Sequence, residues 1–160
     1  MRRRCRFWVA ALVALIACGF VATPARAAIT GTCTASATGV SFGTYNLLSA
    51  TPLTSTGTVT VNCSGATKIT GNNSVTVELS TGQSGTFTAR SLGANFGYNL
   101  YQDSAHTEIW GDGTGGSTIY TGSITNGQDE FTATVYGEIP AQQNPAPGSY
   151  TDTITVTVNY

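Results

Sequence analysis

The chain has 160 residues, 41% of them hydrophobic and only 9% charged, with seven basic and eight acidic side chains and a formal net charge of −1. That length supports one core and excludes a long array of domains. The near-neutral balance hides an asymmetry: Arg2, Arg3, Arg4, Arg6 and Arg26 precede residue 28, and beyond it only Lys68 and Arg90 stand against eight carboxylates, which excludes nucleic acid and anionic membranes as partners.

The first element reads as a secretory signal. The arginines form a cationic start, Phe7 to Ala22 is an uncharged and mostly apolar run, and Ala25-Arg26-Ala27 supplies small residues around a cleavage point. The apolar run is shorter than the roughly 20 residues a bilayer core requires, so no membrane span is expected once it is removed. Residues 1–27 are therefore expected to leave, and 28–160 to form one domain. Cys5 and Cys18 go with the signal, and Cys33 and Cys63 remain, 30 positions apart. In an exported chain these two most simply form one disulfide, worth roughly 3.6 kcal/mol on the loop-entropy model.

No stretch after the signal has helical periodicity. What recurs is short alternation bounded by Gly, Asn, Ser and Pro, the pattern of an all-β sandwich or barrel. "TCTASATGVSFGTY" is the first candidate strand, with Val40 and Phe42 on one face. "GTVTVNCS" places Val59, Val61 and Cys63 on a common face, and "NNSVTVELSTG" does the same with Val75, Val77 and Leu79. "ANFGYNLYQD" turns Phe96, Tyr98 and Leu100 inward; "TIYTGSI" follows, and "DEFTATVYGEIP" offers Phe131, Ala133 and Val135. The last run, "PGSYTDTITVTVNY", opens on a turn and then alternates Ile154, Val156, Val158 and Tyr160 with threonine and asparagine. About seven strands in one small domain is the count of an immunoglobulin-like sandwich. A regular final strand with no following segment to cover its edge suggests a sheet short by one strand.

Chemical motifs are sparse. His106 is the only histidine, in "DSAHTEIW", and reads as a surface-loop residue, because zinc requires three or four nitrogen or sulfur ligands and both cysteines are committed. No nucleophile elbow surrounds any serine. "WGDGTGG" lacks the oxygen ladder of a calcium loop and the lysine of a phosphate cradle, and reads as a tight turn held by Trp110. No enzyme, metal or cofactor is expected. Trp110 and Tyr101, with Tyr120 and Tyr136, are the aromatic residues from which a ligand platform for a sugar would be built.

The ordered set "C…GVSFGTY", "GTVTVNCS", "RSL" before "YNLYQD", "WGDGTGG" and "YGEIPAQQNPAPGSYTDTITVTVNY" resembles the spore coat protein U family, which includes the pilin subunits of archaic chaperone-usher fimbriae of the Csu type. The similarity runs from about Cys33 to Tyr160. It implies an immunoglobulin-like fold without its closing strand, filled in trans by a periplasmic chaperone and then by the N-terminal extension of a neighbouring subunit, a known case of strand addition. It also implies an intradomain Cys33–Cys63 disulfide, packing roles for Arg90, Trp110 and Tyr150, passage by an usher, and a final place at the cell surface in adhesion or biofilm formation. On this reading Val40 and Phe42 line one wall of an acceptor groove, and Ile154, Val156, Val158 and Tyr160 the other. Only "AITGT" separates the expected cleavage point from Cys33, and five residues span at most about 17 Å. The expectation is a subunit that accepts a strand without donating one, as at a fibre end. Two other classes stay open: a secreted carbohydrate-binding sandwich, and a self-contained coat or outer-layer protein.

Overall fold

The computed structural model describes residues 28–64, 68–70, 72–93, 96–125 and 129–160; the expected signal segment lies outside them. Among the described residues ten strands follow one another: β1 (Ala28–Thr30), β2 (Thr34–Thr38), β3 (Leu53–Asn62), β4 (Lys68–Thr70), β5 (Asn72–Leu79), β6 (Arg90–Ser91), β7 (Gly97–Tyr101), β8 (Tyr120–Thr125), β9 (Glu130–Ile139) and β10 (Val156–Asn159). Seven of these have four residues or more, and they are the seven runs whose alternation the sequence shows. The three extra strands have two or three residues each, too short to register as a period.

All ladders are antiparallel. A five-stranded sheet has the order β2-β3-β9-β7-β6, a three-stranded sheet the order β10-β5-β8, and β1 pairs with β4 as a separate ribbon. The long β3–β9 ladder runs from Leu53 opposite Ile139 to Asn62 opposite Glu130. Because successive side chains on a strand face opposite ways, this register puts Val59, Val61, Ala133 and Val135 on one face, and all four are buried. Val75, Val77 and Leu79 of β5 and Ile124 of β8 supply the facing layer. The product is an immunoglobulin-like β-sandwich. Six of the outward positions of β3 and β9, Thr54, Thr56, Thr58, Thr60, Thr132 and Thr134, are threonines, whose branched side chains suit an extended backbone and whose hydroxyls remain polar; Thr60 and Thr132 meet across the ladder at 2.8 Å.

Cross-strand pairing of Thr34 with Asn62 brings the preceding Cys33 beside Cys63, and the two are disulfide-bonded, fixing the start of β2 to the end of β3. Trp110 is 0% exposed and its indole N–H donates to the Val77 carbonyl at 2.9 Å. Its ring stacks on Tyr120, which stacks in turn on Phe131. The aromatic column fills the gap over Gly122, where any Cβ would lie 2.4 Å from the Phe131 ring. Arg90 is also 0% exposed, a buried cation held by carbonyls. Burial pulls its pKa below the ordinary value, against the opposing pull of Tyr98, Asp152 and Tyr101, and the guanidinium stays charged. Among the described residues no helix is long and apolar enough to cross a membrane.

Candidate functional site

The feature that sets this sandwich apart is where its ladders stop. β2 ends at Thr38, and the chain that continues through Val40 and Phe42 to Tyr45 forms no ladder among the described residues. On the opposite side, the segment from Tyr150 to Thr155 is likewise outside any strand, and among the described residues Val156–Asn159 pairs with β5 alone. Between these two lips lies a cleft of about 860 Å³. Its floor is core: Leu79, Tyr98, Leu100, Val135 and Ile139. An apolar floor flanked by two lips that have no ladder partner on the cleft side among the described residues has the shape left when one strand is withdrawn from a sheet edge.

Val40 and Phe42 sink into the sandwich because β3 and β9 give them room. A Cβ on Gly57 would stand 2.5 Å from the Thr38 carbonyl oxygen, and one on Gly137 would stand 2.7 Å from both the Phe42 ring and a Val40 methyl. Glycine inside a strand marks such close approach, and that signal was available in "TSTGTVTV" and "TVYGEI" but does not name the residue that approaches. Gly137→Ala should therefore cost about 1–3 kcal/mol by overpacking. Gly39→Ala, whose methyl meets nothing within 4 Å, should cost much less. Urea unfolding of the two variants measures both.

One end of the cleft is closed. Phe96 sits with its ring centroid 5.0 Å from Tyr45 and 5.1 Å from Tyr150, both edge-to-face, so one ring ties the two lips together. The Tyr45 hydroxyl donates to the Pro140 carbonyl at 2.8 Å and accepts from the Gln143 backbone N–H at 2.9 Å. Pro140 has no N–H to continue β9, and the Gln143 side-chain amide substitutes for it: its oxygen accepts from Gly97 N–H at 2.7 Å and its nitrogen donates to the Gly97 carbonyl at 2.8 Å.

Along the C-terminal lip, alternate residues face inward from Tyr150 to Val158, and Asp152 interrupts an otherwise apolar stripe. Its carboxylate accepts from the Tyr98 hydroxyl at 2.7 Å and from the backbone N–H groups of Gln83 at 3.0 Å and Thr153 at 2.7 Å. Burial, then the bond to Asp152, push the Tyr98 pKa well above the ordinary phenol value.

Of the residues expected to form the groove, Val40, Phe42, Ile154 and Val156 line the cleft together. Val158 packs half-buried against the core outside that lining, and Tyr160 is 52% exposed. Trp110 is no ligand platform, because its ring lies wholly in the core and its N–H is used internally. Tyr101 is half-buried, and its ring meets His106 edge-on. His106 itself is packed rather than loose. It has φ 56°, lies between the Tyr101 and Tyr136 rings, and places Nδ1 3.8 Å from a Glu138 carboxylate oxygen. Asp103 holds that loop by accepting from the N–H groups of Thr107 and Glu108, bonds that keep its pKa below the usual carboxylate range.

The family model for the Spore Coat Protein U domain matches residues 20–157. The chain belongs to the spore coat protein U family. Among solved structures, this spore coat U chain is similar to the crystal structure of the CsuC–CsuE chaperone–tip adhesion subunit pre-assembly complex from archaic chaperone-usher Csu pili of Acinetobacter baumannii, at 21% identity and a TM-score of 0.49. The match covers 81% of the spore coat U chain and 40% of that chain. No curated protein matches it.

Proposed function

We propose that this spore coat U chain is a non-catalytic structural or adhesive subunit of a secreted surface fimbria. Residues 1–27 direct export and are removed, and the domain of 28–160 then passes through the periplasm with its cleft covered by a chaperone strand. An outer-membrane usher exchanges that strand for one from a neighbouring subunit, and the finished fibre supports surface attachment or biofilm formation. The observation that carries this reading is the apolar cleft between Val40 and Phe42 on one lip and Ile154 and Val156 on the other, each lip without a ladder partner toward the cleft among the described residues. Family membership and the ordered motifs support the same assignment.

An incoming strand that seats an apolar side chain over each of these positions gains roughly 1.5–3 kcal/mol per anchor. Four anchors give about 6–12 kcal/mol gross, comparable to the whole net stability of a domain. Co-expression with a periplasmic pilus chaperone of the source organism should yield an equimolar complex, in which Ile154→Cys forms a disulfide with a cysteine introduced into the chaperone's strand when the two thiols are oxidised by added diamide. A stable monomer that ignores the chaperone would remove the mechanism.

A further inference from the structure

We infer that Asp152 makes the cleft selective: the strand that fills it carries a cationic or hydrogen-bond-donating side chain at the inward position facing this carboxylate, instead of an apolar one at every inward position. The inference rests on the proposed reading of the cleft as a strand acceptor, and concerns what kind of strand it accepts.

Asp152 occupies the one inward place on the lip from Tyr150 to Val158 where the alternation supplies a charge, and it lines the cleft. Oδ1 accepts from the Gln83 and Thr153 N–H groups, and Oδ2 from the Tyr98 hydroxyl. A carboxylate accepts about four hydrogen bonds, so Oδ2 retains capacity for one more. No cation among the described residues lies within ion-pair distance of it. Arg90 attracts it from the core, but the guanidinium is spent on the Ser80 and Trp110 carbonyls and the Asn99 side chain.

While the cleft is open, water completes the shell of Asp152, which is half-buried. A strand laid across the cleft removes that water. An apolar side chain at this position leaves the carboxylate short of a partner, a carboxylate there repels it, and an ammonium or amide replaces the lost hydration. The Tyr98–Asp152 bond fixes the acceptor from beneath, with Tyr98 on β7 of one sheet and Asp152 on the lip beside the other, so the charge cannot swing away when the strand enters.

The test uses synthetic strand peptides of roughly ten residues in which valine alternates with threonine, the length of a full strand. In one series each inward valine is replaced singly by lysine, in a second by glutamate, and binding to the mature protein is read by fluorescence anisotropy. One lysine peptide should bind on the order of tenfold tighter than the all-valine parent, a charged hydrogen bond's worth, and the matching glutamate peptide weaker. Asp152→Asn should erase that preference. Tyr98→Phe, which frees the carboxylate from its anchor, should reduce the preference without abolishing it. Equal affinities for all peptides, or a lysine preference indifferent to Asp152→Asn, overturn the inference and leave the acceptor reading standing. Failure of every peptide to bind removes the acceptor reading and this one with it.

Discussion

Extending the chain past Tyr160 with a short turn and a strand of alternating valine and threonine raises its melting temperature by at least about 10 °C. Three or four valines entering the cleft gain roughly 1.5–3 kcal/mol each. Ordering the new backbone, at about 1–2 kcal/mol per residue, costs about as much as that burial gains, so the net stabilisation comes from the ladder formed along β10 and the lip opposite. A net gain of about 4 kcal/mol corresponds to roughly 10–20 °C for a domain of this size. The unextended protein should melt low or aggregate, because its apolar floor and two unladdered lips are open to other chains. The decisive control is the same extension shifted by one residue. Since side chains alternate with period two, the shift turns threonine inward and should abolish the gain without touching the domain. Equal melting temperatures for all three chains would show that the cleft takes no strand.

Much of the sandwich is legible in the sequence because its physics is local. Val59, Val61 and Cys63 lie inward for the same reason they alternate with Thr58, Thr60 and Asn62, and a reader needs only the period of a strand to place them. The disulfide was legible too, since Cys33 and Cys63 are the two cysteines that follow the expected signal segment. The cleft was half legible. The alternation names Ile154 and Val156, but it runs on unbroken to Tyr160, whereas the structure ends the cleft earlier. Asp152 lies in the same inward register and passes unread, because an acidic residue beside a turn ordinarily signals the end of a strand.

What the sequence hides are contacts assembled from distant segments. The partners of Tyr45 are Pro140 and Gln143, and the glycine that admits Phe42 is Gly137. Neither can be inferred before the chain has folded. His106 was expected on a surface loop, and nothing in "DSAHTEIW" says that Tyr101, Tyr136 and Glu138 converge on it. Trp110 offers an aromatic ring to a ligand only until its N–H is seen bonded to Val77.

Replacing Arg90 by methionine should destabilise the domain by about 3–5 kcal/mol. Arg90, one of two cationic side chains after residue 28, makes four hydrogen-bond contacts in the interior. Nε donates to the Ser80 carbonyl at 3.2 Å, Nη2 to the same carbonyl at 2.9 Å and to that of Trp110 at 2.7 Å, and Nη1 to the Asn99 side-chain oxygen at 2.7 Å. Its carbon centre lies 5.2 Å from the centroid of the Phe87 ring. Methionine fills much of the volume but leaves the Ser80 and Trp110 carbonyls without their donor, at about 1–3 kcal/mol each before relaxation, and leaves the Asn99 oxygen with the Leu100 N–H alone. Lysine should recover only part of the loss, because one ammonium cannot span acceptors arranged for a planar fork. Denaturant unfolding of the strand-extended protein measures the effect with the native state well populated. A loss below about 1 kcal/mol, typical of an exposed arginine, would show that the carbonyl cage contributes nothing. The effect should also reach the cleft. Ser80, gripped by Arg90 through its carbonyl, donates its own N–H to the Thr155 carbonyl at 3.0 Å and accepts the Thr155 N–H on its hydroxyl at 2.9 Å. Arg90 thus fixes the residue that fixes the C-terminal lip, and in Arg90→Met the stabilisation gained from an added strand should shrink as well as the stability of the domain.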